Sequence, residues 1–93
     1  MSEMKLFVWP TVKALRQYGD GITFALAPDK ESAIEAILKR YWKEQVEPEI
    51  GKSIHTSLLE SHIKIYIGLS EELKAEEPLV VEDVEGFWVY GTA

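Results

Sequence analysis

The chain has 93 residues, of which 46% are apolar and 28% charged, with a net charge of −6. That length supports one hydrophobic core, and that apolar share excludes wholesale disorder. No apolar run approaches the roughly 20 residues of a membrane span, the absence of cysteine excludes disulfides, thiolate catalysis and cysteine-ligated metals, and the acidic balance excludes a nucleic-acid binder that works through a basic surface.

Four prolines, at positions 10, 28, 48 and 78, separate segments of different pattern. The opening Met1-Ser2-Glu3-Met4-Lys5 leads into a short apolar stretch without a small-residue cleavage site, which argues against a secretory signal and for a cytoplasmic protein. Lys5-Leu6-Phe7-Val8-Trp9 is dense in β-branched and aromatic residues and reads as a strand. Both of its faces are apolar, Leu6 with Val8 on one and Phe7 with Trp9 on the other, as in a central strand or one whose second face meets a partner. Residues 11–18 fit a single helical turn or an ordered loop, and Gly19-Asp20-Gly21 a tight turn.

Ile22-Thr23-Phe24-Ala25-Leu26-Ala27 alternates large apolar with small residues, the clearest strand signature in the chain. The expectation is that Ile22, Phe24 and Leu26 face the core. Pro28-Asp29-Lys30-Glu31 is a helix start, with Asp29 placed to cap free N–H groups. Ala33, Ile34, Ile37, Leu38, Tyr41 and Trp42 follow at a 3.6-residue period, which predicts an amphipathic helix from about Asp29 to Gln45.

Residues 46–61 fit neither period well. His62-Ile63-Lys64-Ile65-Tyr66-Ile67 alternates strictly and predicts another strand, ended by Gly68, with one capped helical turn at Ser70–Lys74. Leu79-Val80-Val81 and Gly86-Phe87-Trp88-Val89-Tyr90-Gly91 supply further strand-like material. The resulting expectation is an α+β domain over residues 1–93, with a single mixed or antiparallel sheet of about four strands and one long amphipathic helix on one face. Its core comprises Ile22, Phe24, Leu26, Ile34, Ile37, Leu38, Tyr41, Ile63, Ile65 and Phe87. A second helix of more than three turns contradicts it.

Three residue groups invite a chemical reading. His55, Glu60 and His62 offer two imidazoles and a carboxylate; in a strand, Glu60 and His62 share a face, which His55 joins across a turn, as a metal site or an acid–base pair requires. The alternative is two histidines at the solvent edge of a polar stretch. Residues 53–93 carry the whole net charge, mostly on Glu71, Glu72, Glu76, Glu77, Glu82, Asp83 and Glu85. These read as a solvated face, as a surface imitating nucleic-acid phosphates, or as a divalent-cation site without the loop spacing of a calcium hand. Gly19-Asp20-Gly21 lacks the lysine and following helix of a phosphate cradle, and Ser53, Thr56, Ser57 and Ser61 lie in no nucleophile elbow, so neither a cofactor nor a catalytic residue is assigned.

The aromatic residues form the third group. One helix cannot cover both faces of a sheet that holds Phe7–Trp9 and Phe87–Tyr90. Trp9, Trp88 and Tyr90 are therefore assigned to a second apolar face that meets another chain, most simply in a two-fold homodimer. The competing arrangement folds residues 46–61 over that face.

The opening Lys5-Leu6-Phe7-Val8-Trp9, the run from Tyr18 to Ala27, the acidic-started helix and the Phe87-Trp88-Val89-Tyr90-Gly91 ending together resemble short uncharacterised open reading frames of phages and prophages. The resemblance covers about half the chain. It implies a viral or mobile-element context, in which a small acidic protein acts by binding a host protein, and it carries over no functional residue. The leading functional expectation is accordingly a non-catalytic protein-interaction module, an inhibitor or adaptor without direct contact to nucleic acid or membrane. The alternatives are a small enzyme or metal binder at His55, Glu60 and His62, and an acidic nucleic-acid mimic.

Overall fold

The structure, a computed structural model, describes residues 4–15, 21–51 and 56–82. It is α+β: a three-stranded antiparallel sheet of β1 (Lys5–Val12), β2 (Gly21–Ala27) and β3 (Leu79–Val81), in the order β2-β1-β3, with helices α1 (Lys30–Tyr41) and α2 (Thr56–Ala75). The 86–91 segment, expected as a fourth strand, and its Phe87 lie outside the described residues.

Phe7 pairs with Ala25 and Trp9 with Thr23, so each large aromatic of β1 stands beside a small residue of β2. That pairing opens volume on one face of the sheet, and the helices fill it. Phe7, Trp9, Val12 and Ala27 from the sheet pack with Ala33, Ile34 and Leu38 of α1 and Leu69 and Leu73 of α2. The expected facing of β2 is thereby inverted: Ile22, Phe24 and Leu26 are 50%, 65% and 61% exposed, and the small row packs inward. Ile34 and Leu38 are buried as the helical period predicts, and Ile37 and Tyr41 pack at the margin of the core.

α1 starts where its cap predicts, with the Asp29 carboxylate accepting from the Ser32 N–H at 2.8 Å. That bond holds the Asp29 carboxyl below the usual carboxylate range. The helix passes into a wider π-type turn, Trp42–Val46, whose Val46 is fully buried, then into a 3-10 turn at Glu47–Glu49 that contains Pro48. Gly51 follows at φ +92°, a left-handed conformation that glycine adopts without strain.

The strand expected at 62–67 is part of α2, and the expectation of a single long helix is corrected with it. The 20 residues of α2 make about five and a half turns. Ile63, Ile65 and Ile67 alternate only locally. Leu59, Tyr66, Leu69 and Leu73 recur at helical spacing across Gly68, and burial of Leu69 and Leu73 requires the helix. Successive isoleucines then fall about 200° apart around the axis, with Ile63 and Ile65 half-buried and Ile67 exposed. Gly68 lies on the side of α2 that meets Ala14, where an added Cβ stays in ordinary contact at 3.8 Å.

Candidate functional site

Trp9 does not lie on the second face. It is 2% exposed, and its Nε1–H donates to the Glu76 backbone carbonyl at 3.1 Å. The sequence assigns Trp9 to a second face because one helix cannot cover both faces of the sheet; the register instead sets the Phe7–Trp9 row beside the small row of β2, and both rows turn inward. Trp88 and Tyr90 lie outside the described residues.

A second apolar face exists nonetheless, built from other residues. The register aligns Phe24, Val8 and Leu79 across the three strands, and Leu26, Leu6 and Val81 beside them. Phe24, Leu26 and Leu79 are exposed, Leu6 and Val81 are half-buried, and Val8 is fully buried. Exposure is therefore greatest along the β2 row. β2 is an edge strand among the described residues. A groove of about 580 Å³ runs along this edge, bounded by Ile22, Phe24 and Leu26 on the strand and by Ala36, Ile37 and Arg40 on α1. It continues towards Glu44 and Leu69. Arg40 is held by Glu44 one turn on, and that ion pair raises the guanidinium pKa.

Two further features mark the edge. β2 carries no charged residue and no proline, two of the devices by which edge strands avoid pairing with another chain. Thr23, which lines the groove, is 7% exposed, and its hydroxyl oxygen has no hydrogen-bond partner among the described residues.

The acidic residues divide into two groups. Glu72 grips the 3-10 turn Lys13–Leu15 that follows β1, accepting from the Lys13 N–H at 2.7 Å and the Ala14 N–H at 2.8 Å. Glu77 pairs with Lys30 at 3.2 Å, and Glu82 with Lys5 at 3.3 Å. Glu71 and Glu76 are exposed, and Asp83 and Glu85 lie outside the described residues. Glu72 thus ties α2 to the 3-10 turn, whereas Glu77 and Glu82 form exposed ion pairs of little weight.

The strand that was to align Glu60 with His62 is a helix, in which residues two apart point about 200° apart. Glu60 is exposed, and His62 donates from Nδ1 to the Gln45 carbonyl at 2.7 Å, which ties α2 to the π turn. His55 lies outside the described residues. Among the described residues no three histidine or carboxylate side chains cluster as a metal site would need. No described helix is long and apolar enough to cross a membrane.

A second cleft, of about 770 Å³, lies between the helices. Ile34, Leu38, Trp42 and Tyr66 form its apolar lining, with Trp42 packed edge-on against Tyr66 at 5.1 Å between ring centroids. Its rim mixes Glu31, Glu35 and Glu47 with Lys39, Lys43 and Lys74, so neither sign of charge dominates. The sequence places Ile34 and Leu38 of this lining in the core and gives no sign of the cleft, because its other wall, at Tyr66, belongs to α2.

No protein-family model, curated protein or solved structure matches this chain.

Proposed function

We propose that this protein is a small acidic, non-catalytic protein-interaction module whose contact surface is the outward row and edge of β2. One observation carries the reading. Three large apolar side chains, Ile22, Phe24 and Leu26, are half or more exposed in a row on a strand that has a neighbour on one side only among the described residues. Contiguous apolar exposure of this kind marks interaction surfaces, and an open strand edge adds a row of backbone donors and acceptors. The resemblance to phage open reading frames fits a phage-type inhibitor or adaptor of a host protein.

A paired capture experiment tests the reading. The wild-type chain and a Phe24→Asp/Leu26→Asp variant are immobilised and exposed to bacterial lysate, with circular dichroism confirming that the variant is folded. A protein retained by the wild type and lost with the variant supports β2 as the contact surface. Equal retention by both chains contradicts it.

A further inference from the structure

We infer that the inner end of the β2 groove is a binding site for a small neutral molecule, one with an apolar body and a single hydroxyl that is received by Thr23. The site lies on the helix side of β2 and is independent of the contact surface on the strand's outer face.

Thr23 is the polar member of the inward row Thr23, Ala25 and Ala27, and it stands opposite Trp9. Among the described residues it is the only buried polar side chain, and its hydroxyl oxygen has no hydrogen-bond partner. Valine has the same shape, so packing alone does not call for a hydroxyl here. A buried hydroxyl without a partner weakens a fold. The same group becomes a strong source of selectivity when a ligand meets it, because a ligand that lacks the matching group leaves it unpaired.

Thr23 lines a cavity of about 530 Å³, where the groove runs in between β2, α1 and α2. That volume falls in the range of small-molecule sites. Leu15, Ile22, Ile37 and Leu69 supply apolar walls. Threonine carries its hydroxyl and its methyl on one Cβ, so rotation about χ1 alone turns the oxygen to this space.

The charges at the mouth select a neutral ligand. Among the described residues that line the cavity, Arg40 and Glu44 are the charged ones, and they pair with each other at the exposed rim. Neither is left over for a ligand ion. The Tyr41 phenol, whose pKa is raised by burial, is neutral as well. An ion entering this site would give up hydration for no counter-charge. A neutral apolar body gives up little, and its one hydroxyl meets Thr23, which can donate or accept.

Thymol and p-cymene share one carbon skeleton and differ by a single hydroxyl, so they serve as the probes. Each is titrated into the isotopically labelled chain and followed by amide chemical shifts. Thymol is expected to bind roughly 5- to 150-fold more tightly than p-cymene, with the largest shifts at Thr23, Ile37 and Leu69. Thr23→Val is expected to bind the two compounds equally and to melt no lower than the wild type, since it removes an unpartnered hydroxyl. Thr23→Ser, which keeps the hydroxyl, is expected to keep the preference for thymol. No binding of thymol at millimolar concentration, equal affinity of the wild type for both probes, or a preference that survives in Thr23→Val overturns the inference. Shifts centred on Trp42 and Tyr66, in the cleft between the helices, overturn it as well. A Thr23→Val chain that melts several degrees lower also does so, because the hydroxyl is then already partnered in the free chain.

Discussion

The indole N–H of Trp9 and the backbone carbonyl of Glu76 meet at 3.1 Å across 67 residues of sequence, joining the first strand to the residue that follows α2. The contact explains why Trp9 belongs to the core and cannot serve an interface. Trp9→Phe removes the donor and is expected to cost about 1 kcal/mol, and Trp9→Ala about 3–5 kcal/mol. At roughly 4–8 °C per kcal/mol for a domain of this size, thermal melts separate the two. A Trp9→Ser variant that melts like the wild type contradicts this placement.

Glu72 supplies one carboxylate to two consecutive backbone N–H groups, those of Lys13 and Ala14. Charge-assisted bonds of this kind are stronger than neutral ones, and both donors would lose their partner together. Glu72→Ala is therefore expected to destabilise the chain by about 1–3 kcal/mol, whereas Glu71→Ala, at an exposed position, stays within about 0.5 kcal/mol. Urea unfolding of the two variants is the check. Equal effects would return Glu72 to the solvated acidic surface.

The two glycines near the 3-10 turn behave oppositely. A Cβ on Gly21 would stand 2.6 Å from the Leu15 Cβ, an atom fixed to its own backbone, so Gly21→Ala is expected to destabilise by about 1–3 kcal/mol. On Gly68 the same methyl meets Ala14 at 3.8 Å, an ordinary contact inside a helix. Gly68→Ala is expected to stabilise by about 0.5–1 kcal/mol, and a loss of stability there would count against α2 as a helix.

Asp29 gives the fold a pH signature. Its bond to the Ser32 N–H lowers its pKa in the folded chain, so its contribution is complete above the unfolded value and is lost as pH falls through the folded one. Asp29→Asn retains an acceptor that does not titrate. Below pH 4 the melting temperature of the Asn variant is expected to fall less steeply than that of the wild type. Parallel acid limbs for the two chains mean that the cap carries no such linkage.

The sequence announces α1 plainly, because Asp29 caps it and its apolar residues hold one period for three turns. It announces β1 and β2 as strands, but alternation in β2 says only that two rows differ in size. Which row turns inward depends on the register that sets Phe7 beside Ala25 and Trp9 beside Thr23, a long-range fact that no local window contains. α2 is hidden for the opposite reason. The isoleucine alternation at 63–67 is locally stronger than the helical spacing of Leu59, Tyr66, Leu69 and Leu73, and Gly68 looks like a stop. A second apolar face is foreseeable from composition alone, since one row each of β1 and β2 must lie away from the helices. Its assignment to Trp9 fails with that register, and the strand face that Glu60 and His62 were to share is replaced by a helix.

The most direct test of β2 as a contact surface is backbone hydrogen exchange followed by NMR, with the chain alone and with the protein it retains from lysate. Addition of that protein is expected to slow exchange at amides of Gly21–Ala27, while amides of α2 and β3 keep their rates. Exchange within β2 that the added protein leaves unchanged, or protection that appears on β3 instead, would contradict the account.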